Sequence, residues 1–144
     1  MPANTLCIAA RIDQLAQAIA FVQHGADHAG LSPDKKFGVT LAVEEAFVNI
    51  CRHAYPDCQG DVVLAFRLDA DRFVVELSDT GIVFDMLSIE DPDLDAGVME
   101  RKVGGLGIYF IRTLANGVSY QRQGDRNVLQ MKFTIPPSPV PDNA

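Results

Sequence analysis

Apolar residues follow a helical spacing in the first third of the chain. Residues 5–10 form a short apolar run that suits a strand. A helix ending near Gly30 is predicted from apolar positions three or four residues apart: Ile12, Leu15, Ile19 and Val22. A second helix should begin after Ser32, because its hydroxyl can cap the helix and a proline and an acid follow it. This helix should end near His53.

The apolar period changes to two in the later part of the chain. Residues 61–68 and 72–79 each place alternate apolar side chains on one face, and the short polar tract between them predicts a hairpin. Residues 118–123 and 127–135 predict a second hairpin with its turn at Gly124. Both pairs should be antiparallel.

A long irregular segment separates the two hairpins. Asp85–Val103 has no clear period and is expected to be a loop, and loops of that length in a compact domain usually serve a function. A glycine-rich turn then leads into a third helix, and the proline-rich tail 136–144 should be flexible. The order β-α-α-β-β-loop-α-β-β predicts an α+β two-layer sandwich over residues 1–135, with three helices on one face of a mainly antiparallel sheet of about five strands.

Composition narrows the class of protein. With 144 residues, 48% of them hydrophobic, the chain has the size of one domain with a core of its own. Its net charge of −7 argues against a nucleic-acid partner, which requires a basic face. No window approaches the roughly 18 to 20 apolar residues of a membrane span, and residues 1–13 lack the basic flank and long apolar run of a signal peptide. A cytoplasmic protein without a membrane contact is expected.

The cysteines do not indicate a disulfide framework or a zinc site. Cys7, Cys51 and Cys58 are odd in number and show no CxxC spacing. Reduced, buried thiols are expected.

The second predicted helix carries two polar residues beside its apolar face. At about 100° per residue, the face towards the sheet comprises Val39, Val43, Ala46, Phe47 and Ile50. Glu45 and Asn49 lie one turn apart on another flank, which they share with the small residues Gly38 and Ala42. Taken alone, this flank is either an ordinary solvated surface or a place where a carboxylate and an amide meet a ligand.

Two further segments suggest ligand binding. Asp79 ends a predicted strand, and Gly81 would either allow a ligand close to the backbone or form an ordinary turn. The run Gly104-Gly105-Leu106-Gly107 opens a helix, where backbone N–H groups suit an anion such as phosphate. It is not a P-loop, because no Lys-Ser or Lys-Thr follows it, and no βαβ unit surrounds it as in a dinucleotide site.

Together, the three segments resemble a known ATP-binding fold. ExxxN at Glu45 and Asn49, DxGxxFD at Asp79–Asp85 and GGLG at 104–107 look like the N box and two glycine boxes of the Bergerat fold, shared by gyrase, heat-shock chaperone, histidine kinase and mismatch-repair ATPases. The phrases NICRHAYPD and GGLGIYFIRTLANGVSYQRQGDRNVL most resemble the anti-sigma-factor serine kinases of bacterial partner-switching systems. The resemblance covers about residues 5–135, although Met86 stands where the family often has proline.

The resemblance implies a role for each matching residue. Asn49 would coordinate a Mg²⁺ that bridges the phosphates of ATP, and Glu45 would be the general base. Asp79 would accept a hydrogen bond from the adenine amino group, with Gly81 letting the base lie close. Backbone groups of the third helix's first turn would hold the phosphates: Gly104, Gly105, Leu106 and Gly107.

Neighbouring residues receive more ordinary interpretations. The loop Asp85–Val103 would be the nucleotide lid. Glu44 is expected to be solvated or salt-bridged, and His53 to be a helix-end group. Arg101 and Lys102 either neutralise phosphate charge or form an exposed pair.

The same resemblance implies an ATP-dependent serine/threonine protein kinase that sequesters a sigma factor and phosphorylates a small antagonist protein, as a homodimer. The main alternative is a non-catalytic regulator that binds nucleotide and captures a protein. A weaker alternative is the ATPase domain of a histidine kinase. Two observations argue against this alternative. No segment before residue 33 resembles a two-helix phosphoacceptor element, and His24 and His28 are more simply explained as polar residues at the end of the first helix.

Overall fold

The computed structural model of the chain describes residues 4–88 and 105–135. Within these residues lie five strands, three helices and two 3₁₀ turns, at Ile12–Gln14 and Met86–Ser88. The elements in chain order are β1 (Asn4–Ala9), α1 (Leu15–His28), α2 (Pro33–His53), β2 (Asp61–Asp69), β3 (Arg72–Asp79), α3 (Gly105–Leu114), β4 (Gly117–Gln123) and β5 (Arg126–Thr134).

The strands form one antiparallel sheet in the order β1-β2-β3-β5-β4. Both predicted hairpins are present, and β3 and β5 pair across the long connection that contains α3. Their register sets Asp79 directly opposite Asn127. The α+β sandwich predicted from the sequence is confirmed.

The helices cover one face of the sheet and enclose the core. The α2 face that the helical wheel directs to the sheet is buried throughout, with residues Val39, Val43, Ala46, Phe47 and Ile50 at most 2% exposed. These side chains pack on the inward-facing positions of the central strands, including Leu64, Phe66, Phe73, Leu77, Met131 and Phe133. Because alternate residues of a strand point to opposite faces, the inward set includes Asp79 at the end of β3.

The start of α2 follows the predicted capping chemistry. Ser32 lies before the first turn, and its hydroxyl accepts a hydrogen bond from the Lys35 backbone N at 3.2 Å. Pro33 occupies the first turn, where a missing N–H has no cost. The cap fixes the residue at which α2 begins. It therefore also fixes which α2 residues, four turns later, lie beside the sheet.

The prediction for the cysteines is partly wrong. All three thiols are free, as expected, but Cys7 and Cys58 are exposed and Cys51 is only half-buried. Cys7 lies on the open face of the edge strand, and Cys58 lies in the connection between α2 and β2. Partial burial, with a smaller contribution from Asp13, raises the pKa of the Cys51 thiol to about 11.

Several predictions concern residues outside the described ranges. These residues are the tail 136–144, residues 89–103 of the predicted lid, which include Arg101 and Lys102, and Gly104. Across the described part of the chain, none of the helices has the length and apolar character needed to cross a membrane.

Candidate functional site

The amide of Asn49 is buried and incompletely bonded. Asn49 is 2% exposed, and its Nδ2 has no hydrogen-bond partner among the described residues. An unpaired buried polar group costs about 1–3 kcal/mol, so a structure tolerates one mainly where something else completes it. This observation favours the ligand-binding interpretation of the α2 flank over the solvated one.

Glu45 lies one turn before Asn49 on the same helix. It is half-buried, and burial raises the pKa of its carboxyl above the ordinary value. The neighbouring Glu44 carboxylate raises the pKa further, while the Arg52 guanidinium partly offsets both effects. A carboxylate with a raised pKa is a stronger proton acceptor, which suits a general base.

Asp79 is held at the end of β3 by two donors. The residue is 5% exposed, and its Oδ1 accepts hydrogen bonds from the Gly81 backbone N and from Asn127 Nδ2, both at 2.9 Å. Because a carboxylate oxygen has two lone pairs, these two bonds fill the accepting capacity of Oδ1. The remaining oxygen, Oδ2, is the one that a ligand can reach by hydrogen bonding.

A small apolar cavity lies beside Asp79. Its wall is formed by residues from α2, β3, β4, β5 and the loop after β3: Ile50, Ala54, Leu77, Asp79, Phe84, Met86, Tyr120, Asn127 and Leu129. The cavity measures about 10 Å³, enough for roughly one water. A purine would therefore enter only if part of this wall moves. The loop residue Phe84 forms one side of it, and its ring stacks on His53 with centroids 4.6 Å apart.

The loop after β3 is braced on the end of α2. A Cβ added at Gly81 would lie 2.1 Å from the Ala54 carbonyl oxygen, and that oxygen accepts a hydrogen bond from the Ile82 backbone N at 2.9 Å. The backbone at Gly81 therefore packs directly against Ala54, the residue that follows α2. The Tyr55 hydroxyl adds a second tie, because it accepts from the Thr80 backbone N at 2.9 Å and donates to the Asp61 carbonyl at 2.6 Å.

The glycine-rich segment opens α3, as its sequence predicts. Gly105, Leu106 and Gly107 are the first three residues of the helix. Its position is set by Ile108 and Ile111, which are fully buried in the core. The Arg112 guanidinium on α3 donates a hydrogen bond to the Leu87 carbonyl and so connects this helix with the loop after β3.

The structure brings the predicted residues together only in part. Asp79 lines the apolar cavity together with Ile50, the neighbour of Asn49. Among the described residues, the cavity wall includes neither Asn49 nor Gly105 and Gly107. A nucleotide is long enough to span from such a pocket to groups beyond it, so this separation fits a base on one side and phosphates on the other.

Sequence reasoning missed two residues that organise the site, Asn127 and Tyr55. Asn127 occupies an inward-facing position in a strand whose next inward positions are Leu129, Met131 and Phe133. A polar residue in such an apolar series is a signal that could have been noticed. Tyr55 gave no comparable signal, because the loop residue that it binds, Thr80, is 25 residues away in sequence.

Comparisons with known proteins agree with this fold. The sequence matches the family described as the histidine kinase-like ATPase domain over residues 8–133. Two proteins called serine-protein kinase RsbW, from two strains of Bacillus cereus, are each 30% identical to the chain over 112 residues, which is 75% of this chain and 70% of each relative.

Two solved structures share the fold. The RsbU and RsbW domains of a Mycobacterium tuberculosis protein superpose with a TM-score of 0.66 at 14% identity, covering 93% of this chain and 32% of that longer chain. A chain of the SiaB–SiaC complex from Pseudomonas aeruginosa superposes with a TM-score of 0.56 at 18% identity, covering 90% of this chain and 89% of that chain.

The chain belongs to the histidine kinase-like ATPase domain family. Its relatives within that family include the serine-protein kinases RsbW, and the family predicted from the three motifs is confirmed.

Proposed function

We propose that this protein is an ATP-dependent serine/threonine protein kinase of a partner-switching system. It phosphorylates a small antagonist protein and, in another state of the system, sequesters a sigma factor. The proposal is supported by curated relatives named serine-protein kinase and by a structural neighbour that comes from a two-protein complex. A homodimer is part of the proposal.

The observation that carries the proposal is the pair formed by Glu45 and Asn49. A buried amide with an unpaired nitrogen lies one helical turn from a carboxylate whose pKa burial has raised. An ordinary solvated flank would have neither property. The nitrogen is a donor, so an acceptor such as a phosphate oxygen would complete it, while the Oδ1 atom of the same amide is the one that would coordinate Mg²⁺. A base and such an amide on the same side of one helix can act on the same phosphate.

The residues of the site fit ATP with magnesium. Asp79 presents one carboxylate oxygen beside an apolar cavity, which suits the amino group of adenine. Among the described residues, no group of three or more His, Cys, Asp or Glu side chains could hold a metal alone. Mg²⁺ commonly takes few protein ligands and keeps waters and phosphates for the rest, so the Asn49 amide is a sufficient protein contribution. When bound, Mg²⁺ neutralises charge on the phosphates.

Glu45 would move the proton. A serine hydroxyl of the antagonist would give its proton to the Glu45 carboxylate as its oxygen bonds to the γ-phosphorus of ATP. The bond between that phosphorus and the bridging oxygen breaks at the same time, and ADP leaves. The backbone of Gly105, Leu106 and Gly107, at the N-terminal end of α3, would contact the phosphates through its N–H groups, and Gly104 is proposed to join them.

A phosphoryl-transfer assay tests the proposal. The protein is incubated with labelled ATP, Mg²⁺ and the small antagonist encoded nearest to its gene, and label on the antagonist is followed. Glu45→Gln keeps the size of the side chain and removes the base, so the transfer rate should fall by about 10²- to 10⁴-fold. Glu44→Gln is the matched control on the adjacent position and should retain the rate within about three-fold, because Glu44 acts on Glu45 only through charge.

The alternatives give other outcomes. Tight MgATP binding without transfer to any antagonist would indicate a non-catalytic regulator. Equal label with wild type and Glu45→Gln would remove Glu45 from the base role. Label on a histidine would instead favour a histidine-kinase origin.

A further inference from the structure

Asn127 faces Asp79 across two neighbouring strands. The two residues are directly opposite in the β3–β5 register, and both are 5% exposed. Each side chain lies on the helix-covered face of the sheet and lines the apolar cavity. The pair therefore forms the polar floor of a pocket whose other walls are mostly apolar.

Every hydrogen-bonding group of the Asn127 amide is occupied. Its Nδ2 donates to Asp79 Oδ1 at 2.9 Å and to the Ile82 carbonyl at 2.7 Å. Its Oδ1 accepts from the Tyr120 hydroxyl at 2.6 Å, and from the Phe84 backbone N and Arg122 Nη1, both at 3.3 Å. An amide has two hydrogens and two lone pairs, so no capacity is left for a ligand.

The orientation of this amide follows from its partners. The Ile82 carbonyl can only accept a hydrogen bond, whereas the Phe84 N–H and the Arg122 guanidinium can only donate. Exchanging the amide nitrogen and oxygen would set donor against donor and acceptor against acceptor. Burial also raises the pKa of the Tyr120 phenol, which keeps that hydroxyl protonated as a donor.

The consequence falls on Asp79. With the Gly81 N–H and the Asn127 amide both on Oδ1, the carboxylate cannot rotate without losing two bonds. Its Oδ2 is left as an acceptor, and Asp79 lines a mostly apolar pocket. A purine with an amino group at this position donates a hydrogen bond to Oδ2. A purine with a carbonyl group there would place its oxygen against Oδ2, and two acceptors would face each other without a donor.

We propose that Asn127 is a specificity-determining positioning residue, which fixes Asp79 so that the site accepts a 6-aminopurine nucleotide and rejects a 6-oxopurine one. This inference rests on the proposed ATP-binding function. Asn127 acts through Asp79 and through the loop at Ile82 and Phe84, and it does not touch the base.

The decisive variant is Asn127→Asp, which keeps the shape and replaces the amide NH₂ with an oxygen. That oxygen faces Asp79 Oδ1 and the Ile82 carbonyl, so a donor becomes a repelling acceptor. Affinity for MgATP, measured by calorimetry at about pH 8, should fall by roughly 10- to 100-fold, while the weak affinity for MgGTP should change less than about three-fold. The preference for ATP over GTP should shrink accordingly.

The pH dependence separates positioning from a general loss of structure. Two adjacent carboxylates share a proton when the pH falls, and the shared proton restores a hydrogen bond between positions 79 and 127. The ratio of wild-type to variant affinity for MgATP should therefore fall at least about three-fold between pH 8 and pH 5.5. Tyr120, Arg122, Asp85 and His53, which stacks on Phe84, also lie near this position. Both proteins share these groups, so the ratio removes their contribution.

Two further variants serve as controls. Asn116→Asp makes the same change at the opposite end of the β4–β5 pair, where the Asn116 oxygen accepts from the Thr134 backbone N at 2.7 Å and from Lys35 Nζ at 3.2 Å. It should bind both nucleotides as the wild type does. Asn127→Ser keeps one donor without a charge, and its smaller loss of ATP affinity should not depend on pH.

The outcomes distinguish the inference from the proposed function. A wild-type protein that binds neither nucleotide overturns both. A wild type that prefers ATP, together with an Asn127→Asp variant of unchanged ATP affinity, overturns the inference alone. If Asn127→Asp does not fold, Asn127→Ser decides: a loss confined to ATP supports the inference, and equal losses of ATP and GTP overturn it.

Discussion

Two polar regions of this protein differ in how fully they are bonded. The strand-end network comprises Asp79, Gly81, Tyr120, Arg122 and Asn127, and within it both amide hydrogens and the amide oxygen of Asn127 have partners. The α2 flank comprises Glu45 and Asn49, and there Asn49 Nδ2 is buried without a partner in the described chain. The Asn127 amide is fully bonded without a ligand, whereas the Asn49 amide is not.

The difference indicates that the two regions contribute to ligand binding in different ways. A completed network holds its carboxylate in one orientation and can discriminate between ligands at no reorganisation cost on binding. An unpaired buried group, such as the Asn49 nitrogen, destabilises the free protein, and a ligand that pairs with it removes this cost. The α2 flank should therefore contribute to affinity rather than to discrimination between ligands. Stability measurements should therefore respond in opposite directions to changes in the two regions.

The largest expected effect on stability comes from Gly81→Ala in the strand-end network. The new methyl group would lie 2.1 Å from the Ala54 carbonyl oxygen, and that backbone atom belongs to the end of α2 and cannot rotate away. We expect a loss of about 3 kcal/mol in the free energy of unfolding, measured by urea denaturation.

Gly124→Ala is the control for this substitution. Gly124 has φ of 64° but no neighbouring atom within 4 Å of an added Cβ, so the change should cost only about 1 kcal/mol through backbone strain. Equal losses for the two variants would show that the contact with Ala54 does not constrain the loop.

Prediction from the sequence succeeded where the signal was local. Ser32, the apolar face of α2 and the alternation in both hairpins are each defined within a few residues, and the structure shows all three. The partnership of Asn127 with Asp79 depends on how β5 pairs with β3 across 48 residues of sequence, which no local pattern specifies. The same reason explains why the exposure of Cys7 was missed: which face of β1 meets the helices is decided by packing.

The next largest effect should come from Asn49→Leu on the α2 flank, and stability and binding should change in opposite directions. Removing a buried amide whose nitrogen lacks a partner should raise the free energy of unfolding by about 1 kcal/mol. Loss of the proposed metal-binding group should lower the affinity for MgATP by roughly 10- to 100-fold. Urea denaturation and calorimetry on the same preparation measure both quantities. A variant that is less stable than the wild type would contradict the view that this amide is unsatisfied without ligand.

A change of similar size in stability, without the large change in binding, is expected for Tyr55→Phe, which removes hydrogen bonds between the loop and the segment after α2. The hydroxyl accepts from the Thr80 backbone N and donates to the Asp61 carbonyl, and loss of these bonds should cost about 1 kcal/mol. Hydrogen exchange of the Thr80 amide should accelerate roughly five- to ten-fold, since its acceptor is removed. Unchanged exchange at Thr80 would mean that the strand-end network holds this loop without Tyr55.

The smallest effect concerns the pH dependence of stability at Glu45. Burial and Glu44 raise the pKa of this carboxyl in the folded protein above its unfolded value, so the folded state binds the proton more tightly. The stability that protonated Glu45 contributes is complete below the unfolded pKa and is lost as the pH rises through the folded pKa.

Glu45→Gln, which cannot ionise, should therefore be more stable than the wild type at pH 7, by less than about 1 kcal/mol because the group is partly solvated. The two proteins should converge below about pH 4, where both carry an uncharged side chain at position 45. Thermal denaturation at both pH values, with Glu44→Gln as the neighbouring control, measures the difference. A gap that widens as the pH falls would show that the Glu45 carboxylate is stabilised by its surroundings, as a paired carboxylate in a completed network would be.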